Sequence, residues 1–474
     1  MPERLNVDIC VIGGGSAGLS VAAGASQLGV SVALVEKGRM GGDCLNYGCV
    51  PSKALLAAAR ARHAVESSGR FGITAGPATV DMAAVHEHVH GVIAGIAPHD
   101  SVERFEGLGV KVIQAPARFL NEREVEAGDH VIAARRFVVA TGSAPLVPPI
   151  PGLDEVPYLT NESIFDLTRA VPHLLVVGGG PIGLEMAQAH ARLGARVTVL
   201  EMARALPKDD PELAAVVLAR LRQEGIAIHE ETRVTGVENG AEGPVVITER
   251  DGETQRFAGS DLLLAVGRKA NVDGLDLETA GIAFSPRGID VDARLRTSNR
   301  RVYAIGDVAG GLQFTHVAGY HAGIVIRNAL FRLPAKADNR AIPWVTYTDP
   351  ELAHVGLTEA EARAQVGAVN VLRWPFAEND RARAERETDG FVKVVTTPKG
   401  RILGASIAGM HAGELIQPWI LALAGNMKIG KLAGIVAPYP TLGEAGKRAA
   451  GSYFVPKLFS ERTKKMVRFL TRFG

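Results

Sequence analysis

The stretch Asp8-Ile9-Cys10-Val11-Ile12-Gly13-Gly14-Gly15-Ser16-Ala17-Gly18 returns later in the chain as His173-Leu174-Leu175-Val176-Val177-Gly178-Gly179-Gly180-Pro181-Ile182-Gly183. The likeness runs from Asp8 to Arg39 and from His173 to Arg204, without gaps, at an offset of 165 and with 12 of 32 positions identical. Each copy reads as an apolar strand, a Gly-rich turn, an Ala-rich helix, a second strand and then an acid. The acids are Glu36 and Glu201, each 23 residues after the first glycine of its turn. In such a unit the first glycine (Gly13, Gly178) makes the tight turn. The second (Gly15, Gly180) admits a pyrophosphate onto the helix N-terminus, and the third (Gly18, Gly183) lets the helix close on the strand. The acid accepts hydrogen bonds from ribose hydroxyls. One such turn is a weak signal; two with the same context and acid offset predict two dinucleotide-binding units.

Between the copies lies Gly41-Gly42-Asp43-Cys44-Leu45-Asn46-Tyr47-Gly48-Cys49-Val50-Pro51-Ser52-Lys53. The chain has only three cysteines, so a pair separated by four residues is not a matter of composition. A bridge closing so short a loop removes little unfolded-chain entropy and is a poor staple. It suits opening and closing, which carries two electrons. The apolar, Ala-rich run after Lys53 predicts a helix, whose N-terminus beside the pair would stabilise a thiolate. Cys10 lies in an apolar strand and reads as a buried core thiol.

At 474 residues the chain is long enough for about three domains. Hydrophobic residues make up 47% and charged residues 22%, as in an ordinary globular chain with a sizeable core. A net charge of +1 gives no footing for nucleic acid. No run of eighteen apolar residues lacks a charge, so no transmembrane helix is expected. A strand from Val7 to Ile12 leaves no room for a signal peptide. The expected location is therefore cytoplasmic, where a permanent structural disulfide would be unusual.

Taken together these motifs resemble the FAD-dependent pyridine nucleotide–disulfide oxidoreductases, which include dihydrolipoyl dehydrogenase, glutathione reductase and mercuric reductase. Further segments carry the resemblance along the whole chain: Ala140-Thr141-Gly142, Ala265-Val266-Gly267-Arg268, Ala304-Ile305-Gly306-Asp307 and Tyr439-Pro440-Thr441-Leu442-Gly443-Glu444. It implies an α/β protein with two Rossmann-like domains and a C-terminal α+β dimerisation domain. The implied boundaries are 1–152 and 275–340 for the FAD domain, 153–274 for the NAD domain and 341–474 for the interface domain. FAD would be held by Gly13, Gly15, Ser16, Gly18, Glu36 and Gly42, with Asp307 on its ribityl chain. The nicotinamide dinucleotide would be held by Gly178, Gly180, Gly183 and Glu201. Thr141, Gly142 and Gly267 complete the cofactor-binding positions. Glu201 at the ribose favours NADH over NADPH, with Arg204 close enough to contest that preference.

The resemblance also implies catalytic roles. Lys53 and Glu185 match a pair beside the flavin in relatives, Cys49 the thiol touching the flavin and Cys44 the thiol that attacks substrate. Electrons would enter as hydride from NADH and leave through the opened disulfide. An obligate homodimer would share its active sites.

The chain departs from that pattern near its C-terminus. Disulfide-reducing relatives carry a histidine where this chain has Tyr439, oriented by a glutamate matching Glu444. An imidazole titrates near ~6.5 and a phenol near ~10, so tyrosine is a poor base at neutral pH. Mercuric reductases resemble the chain here, yet they also carry a vicinal cysteine pair near the C-terminus, and this chain has no cysteine after Cys49. Tyr439 is read either as filler in the place of the histidine or as a group closing over the disulfide.

Three features stand outside this reading. His86 and His90 in His86-Glu87-His88-Val89-His90 would share a helix face, but a solvated face is expected and no metal site. His316 and His411 fall in segments that approach the flavin in relatives, and either is a candidate for the missing base. The stretch Lys457 to Gly474 is basic and amphipathic; packing on its own dimer is expected, with a membrane surface as the alternative. The functional expectation is an NADH-dependent FAD enzyme moving electrons between Cys44/Cys49 and a small disulfide or dithiol, as in dihydrolipoyl dehydrogenase. The alternatives are a metal-ion (Hg or Cu) reductase and a low-turnover redox sensor.

Overall fold

A computed structural model describes residues 2–473. The chain divides into two compact units, one reaching to Met202 and continuing through Ile228–Ala337, the other formed by Ala203–Ala227 with Asp338 onward.

The first unit is built on a parallel sheet. Its strands run in the order Val110–Gln114, Val32–Glu36, Glu3–Ile12, His130–Val139, followed by the antiparallel pair Glu124–Ala127 and Ala117–Asn121. The far half of His130–Val139 pairs in parallel with Val302–Ala304, which brings a late segment back into the sheet. The first strand begins at Glu3 rather than Val7, because pairing with His130 extends it outward. Ile9 to Ile12 are buried on both faces, which is why they read as an unbroken apolar run rather than an alternating one. Cys10 is fully buried between Ala33 and Phe137, its strand neighbours, and burial pushes its thiol up to about 12.

The second copy of the repeat forms its own parallel sheet, in the order Ala227–His229, Arg196–Leu200, His173–Val177, Asp261–Leu264. The helices that follow the turns are Ser16–Gln27 and Pro181–Arg192. Both start where the sequence places them, with glycine at the N-cap.

The second unit is a five-stranded antiparallel sheet in the order Pro343–Thr346, Glu351–Gly356, Ile402–Gly409, Phe391–Thr396, Asn370–Pro375. Phe376, Trp419, Ile429 and the alanines of helix Glu444–Ser452 pack against Val355, Val392 and Ile407. The helix Pro211–Gln223 also belongs to this unit. Lys393 lies buried, its ammonium 2.7 Å from Asp210 and 2.8 Å from Glu212 and Glu359. Three carboxylates around one buried ammonium satisfy it, Asp210 buried with it and Glu212 reaching solvent; removing the Lys393 ammonium would leave the buried Asp210 carboxylate without its ion pair. The chain ends in the short helices Val455–Leu458 and Glu461–Leu470; Leu458, Phe459, Met466, Phe469 and Phe473 on this tail are exposed. Gly474, the last residue of the tail read from the sequence, lies outside the described residues. Among the described residues no helix is long and apolar enough to cross a membrane.

Candidate active site

The cysteine segment is laid across the first Gly-rich turn. Gly41 N–H donates to Gly14 O at 2.9 Å, and Gly42 comes so close to the turn that a Cβ there would stand 2.7 Å from Gly15 Cα. Both Gly41 (φ +87°) and Gly42 (φ +59°) are left-handed, a conformation that favours glycine. A short helix Gly42–Asn46 carries Cys44, and an 18-residue helix Cys49–Glu66 starts on Cys49 itself. Pro51 falls in the first turn of that helix, where its missing N–H costs nothing.

Cys49 therefore sits on the first residue of a long helix, at the positive end of its backbone dipole. Its thiol is lowered to about 6, first by the hydrogen bond from Cys44, against burial, and then by Thr315 and the Lys53 ammonium. The Thr315 hydroxyl lies 3.4 Å from Cys49 Sγ. Cys44 is pushed strongly upward by donating that hydrogen bond and by burial. The reduced pair titrates as a unit, and the helix start and the Lys53 ammonium favour its first negative charge on Cys49.

Lys53 Nζ lies one turn along the same helix and meets Glu185 Oε2 at 2.7 Å. Glu185 is nearly buried and belongs to the helix after the second Gly-rich turn, so the pair links the two repeats. Arg62 Nη1 adds a second link, donating to Arg192 O at 2.6 Å.

A polar relay lies around Asp307. The Ser143 hydroxyl donates to Asp307 Oδ2 at 2.6 Å and accepts from Arg268 Nε at 2.7 Å. Arg268 also reaches Ser143 O at 2.8 Å and Asp43 Oδ1 at 3.0 Å. Burial raises the Asp307 carboxyl, while Ser143 and Arg268 oppose that rise. Thr141 and Asn271 are cross-bonded, Thr141 Oγ1 donating to Asn271 O at 2.8 Å and Asn271 Nδ2 to Thr141 O at 2.9 Å. Gly142 (φ +70°) and Gly267 (φ +126°) have no atom within 4 Å of the Cβ position, so backbone there is open to a partner.

The two turns fit dinucleotides. Gly15 and Gly180 are N-caps, and among the described residues no side chain caps either helix. The first-turn N–H groups are thereby left for an anion. A Cβ on Gly180 would enter space free of protein atoms, the approach a pyrophosphate needs. Glu36 and Glu201 are held at their strand ends, accepting from Gly14 N–H and Gly179 N–H. Ser16 begins the first helix.

In the second unit Tyr439 is 70% exposed, and its hydroxyl donates to Asp380 Oδ2 at 3.1 Å. The Asp380 carboxylate raises the phenol above its ordinary value, so Tyr439 stays protonated at neutral pH. Glu444 opens the helix Glu444–Ser452 and pairs with Arg448 at 3.3 Å. His411 is exposed and left-handed (φ +57°); His316 is exposed and stacks on Phe314, one residue beyond Thr315. Asp43, Ser143, Arg268 and Thr315 join the site only through the fold. Asp43 and Arg268 lie within the Gly41–Lys53 and Ala265–Arg268 motifs, but Thr315 is 266 residues from Cys49 and carries no local signal.

Comparison with known proteins matches residues 7–322 to the pyridine nucleotide-disulphide oxidoreductase model and residues 342–450 to the dimerisation domain of the same name. The chain belongs to the pyridine nucleotide–disulphide oxidoreductase family. It is 37% identical over 456 residues to a mercuric reductase of Streptomyces lividans, spanning 94% of this chain and 96% of that one. It is 37% identical over 468 residues to a dihydrolipoyl dehydrogenase of Thermus scotoductus, with the same coverage of 94% and 96%. Among solved structures it is similar to LpdA from Mycobacterium tuberculosis (TM-score 0.86, 28% identity, 94% of this chain and 99% of that one). It is also similar to the Cu(II) complex of the HOCl-induced flavoprotein disulfide reductase RclA from Escherichia coli (TM-score 0.84, 28% identity, 93% and 99%). The protein is thus a flavoprotein oxidoreductase of a family that binds FAD and NAD(P), and its dimerisation domain supports a homodimer.

Proposed function

We propose that this oxidoreductase uses NADH to open a Cys44–Cys49 disulfide and passes the electrons to a small disulfide, in the manner of the dihydrolipoyl dehydrogenase group. The observation that carries the reading is the placement of Cys44 and Cys49 at the head of the Cys49–Glu66 helix, with Thr315 3.4 Å from the Cys49 sulfur and the Lys53–Glu185 pair one turn along. The FAD contacts fall to the first turn, Glu36, Gly42, Thr141, Gly142, Lys53 and Asp307, and those of the nicotinamide dinucleotide to the second turn, Glu201 and Gly267. When bound, these groups supply hydride and two-electron transfer at the thiol pair.

The protein's own part is to control charge and protons. Cys44, which holds the proton of the pair, is assigned as the sulfur that meets substrate, and Cys49 keeps its charge beside Lys53. Glu185 holds Lys53 in place. A carboxylate held at the ribose end of the second turn favours NADH. The shortage of cysteines fits a reducing, cytoplasmic setting, where a redox pair does not compete with structural bridges.

A second reading, reduction of a thiophilic metal ion at the same thiols, rests on Tyr439. A phenol raised further by Asp380 cannot serve as the base that thiol–disulfide exchange needs. One experiment separates the two. One portion of the oxidised holoenzyme is reduced anaerobically with NADH and alkylated, and a second, unalkylated portion is assayed with lipoamide, glutathione disulfide, Hg(II) and Cu(II). New alkylation confined to Cys44 and Cys49 supports the thiol route, and turnover with lipoamide but not the ions supports the first reading. No NADH-dependent alkylation at either cysteine would overturn both.

A further inference from the structure

The helix Met82–Ile96 buries Met82 and Val89 and keeps His86 and His90 half-buried one turn apart on the same side. Asp81 caps the helix, accepting from Ala83 N at 2.9 Å and Ala84 N at 3.2 Å, so the first of these histidines is close to an anchored end. The two imidazole rings lie 4.1 Å apart at 36°. A separate segment meets them there. Ile164 and Phe165 are buried and hold the turn Ile164–Asp166 in place, which leaves the Asp166 carboxylate outside as the free end of a fixed backbone. His90 Nε2 is 3.4 Å from Asp166 Oδ1 and 3.2 Å from Phe165 O. One donor atom from each of His86, His90 and Asp166 lies within 4.8 Å of the others.

That set has the chemistry of a cation site. Bonds of about 2.0–2.1 Å around a tetrahedral ion give ligand–ligand edges of about 3.3 Å. The His90–Asp166 separation already matches such an edge. The His86–Asp166 separation closes by rotating an exposed carboxylate, whose side chain is 66% accessible, and the His86–His90 separation by turning the half-buried His86 ring. Two imidazoles exclude the hard ions Mg(II) and Ca(II), which take oxygen ligands, and suit Zn(II) and Cu(II). Three protein ligands leave a fourth position for water or an incoming ligand.

We propose that His86, His90 and Asp166 form a site for a divalent late transition-metal ion, Zn(II) or Cu(II), separate from the thiol pair. His88, between the two ligands in sequence, points elsewhere, its Nε2 lying 3.3 Å from Ala54 O. The proposal does not depend on which substrate the thiols serve.

The test uses the untagged, FAD-loaded protein carrying Cys44→Ser and Cys49→Ser, which removes the competing thiols. Calorimetric titration with Zn(II) is expected to find one ion per chain. Removing a ligand costs at least as much as removing a group that orients one, so His90→Ala and Asp166→Asn should each weaken binding on the order of tenfold or more. His88→Ala should leave it unchanged. With Cu(II), electron paramagnetic resonance should show nitrogen couplings that diminish in His86→Ala. Asp166 is exposed, so its variant tests the site even where a histidine variant disturbs the helix. Absence of Zn(II) binding in the cysteine-free protein overturns the proposal. So does unchanged affinity in Asp166→Asn together with His86→Ala/His90→Ala.

Discussion

At the first Gly-rich turn a Cβ on Gly13 would fall 2.3 Å from Ala140 O; at the second, one on Gly178 would fall 2.4 Å from Ala265 O. The third glycines match as closely, at 1.9 Å from Gly13 O for Gly18 and 2.0 Å from Gly178 O for Gly183. Each turn also ties its acid to the middle glycine. The turns part company at what lies over them. Gly15 has Gly41 and Gly42 of the cysteine segment against it, whereas nothing stands within 4 Å of the Cβ position of Gly180. The same local solution thus serves one turn that carries the thiol chemistry and another that stays open. Backbone geometry is repeated; function comes from what is packed onto it.

The largest expected effect breaks the part that is repeated. Gly18→Ala places a methyl against a backbone oxygen that cannot yield, and should cost about 3 kcal/mol or more in denaturant unfolding. Gly180→Ala should cost about 1 kcal/mol or less, the ordinary loss at an N-cap, while raising the KM for the nicotinamide dinucleotide. Equal destabilisation by the two would end the distinction between packing glycines and open ones.

Acid should separate the copies next. The position equivalent to Ala25 in the second copy is His190, and both are buried. Burial depresses the His190 imidazole to about 4. Unfolded, it would titrate near ~6.5, so the unfolded chain binds the extra proton between those values. The contribution is fully present above ~6.5 and is lost as pH falls toward 4, reaching about 2 kcal/mol by pH 5. Urea unfolding at pH 7 and pH 5 should show this loss in wild type and a shallower one in His190→Gln. An identical pH slope in the variant would count against it.

The smallest effect sharpens the link between the repeats. Alkylation of Cys49 in the reduced protein should follow its thiolate, which is mostly present at pH 7 and mostly lost at pH 5, with a midpoint about 6. Cys44→Ala should raise that midpoint most, because the Cys44 hydrogen bond is the largest cause of the lowering. Lys53→Met should raise it less, the ammonium being a smaller contribution. A midpoint unmoved in both variants would place the charge elsewhere.

The sequence alone determined the repeat, the two Gly-rich turns with their acids, and the family, because those features depend on neighbours within a few residues and on a period that survives in one dimension. It also marked the cysteine pair, since the spacing of two scarce residues needs no fold to be seen. What it could not supply was company from far along the chain. Thr315 at the Cys49 sulfur, Ser143 and Arg268 around Asp307, and Asp166 beside His86 and His90 arrive by sheet closure and helix packing. Those contacts leave no spacing to read, because the physical neighbour is chosen by burial of the strands and helices between them. Tertiary structure also decided which half of the thiol pair carries charge: the helix that begins at Cys49 and the ammonium of Lys53 favour the thiolate there, and the hydrogen bond leaves Cys44 with the proton.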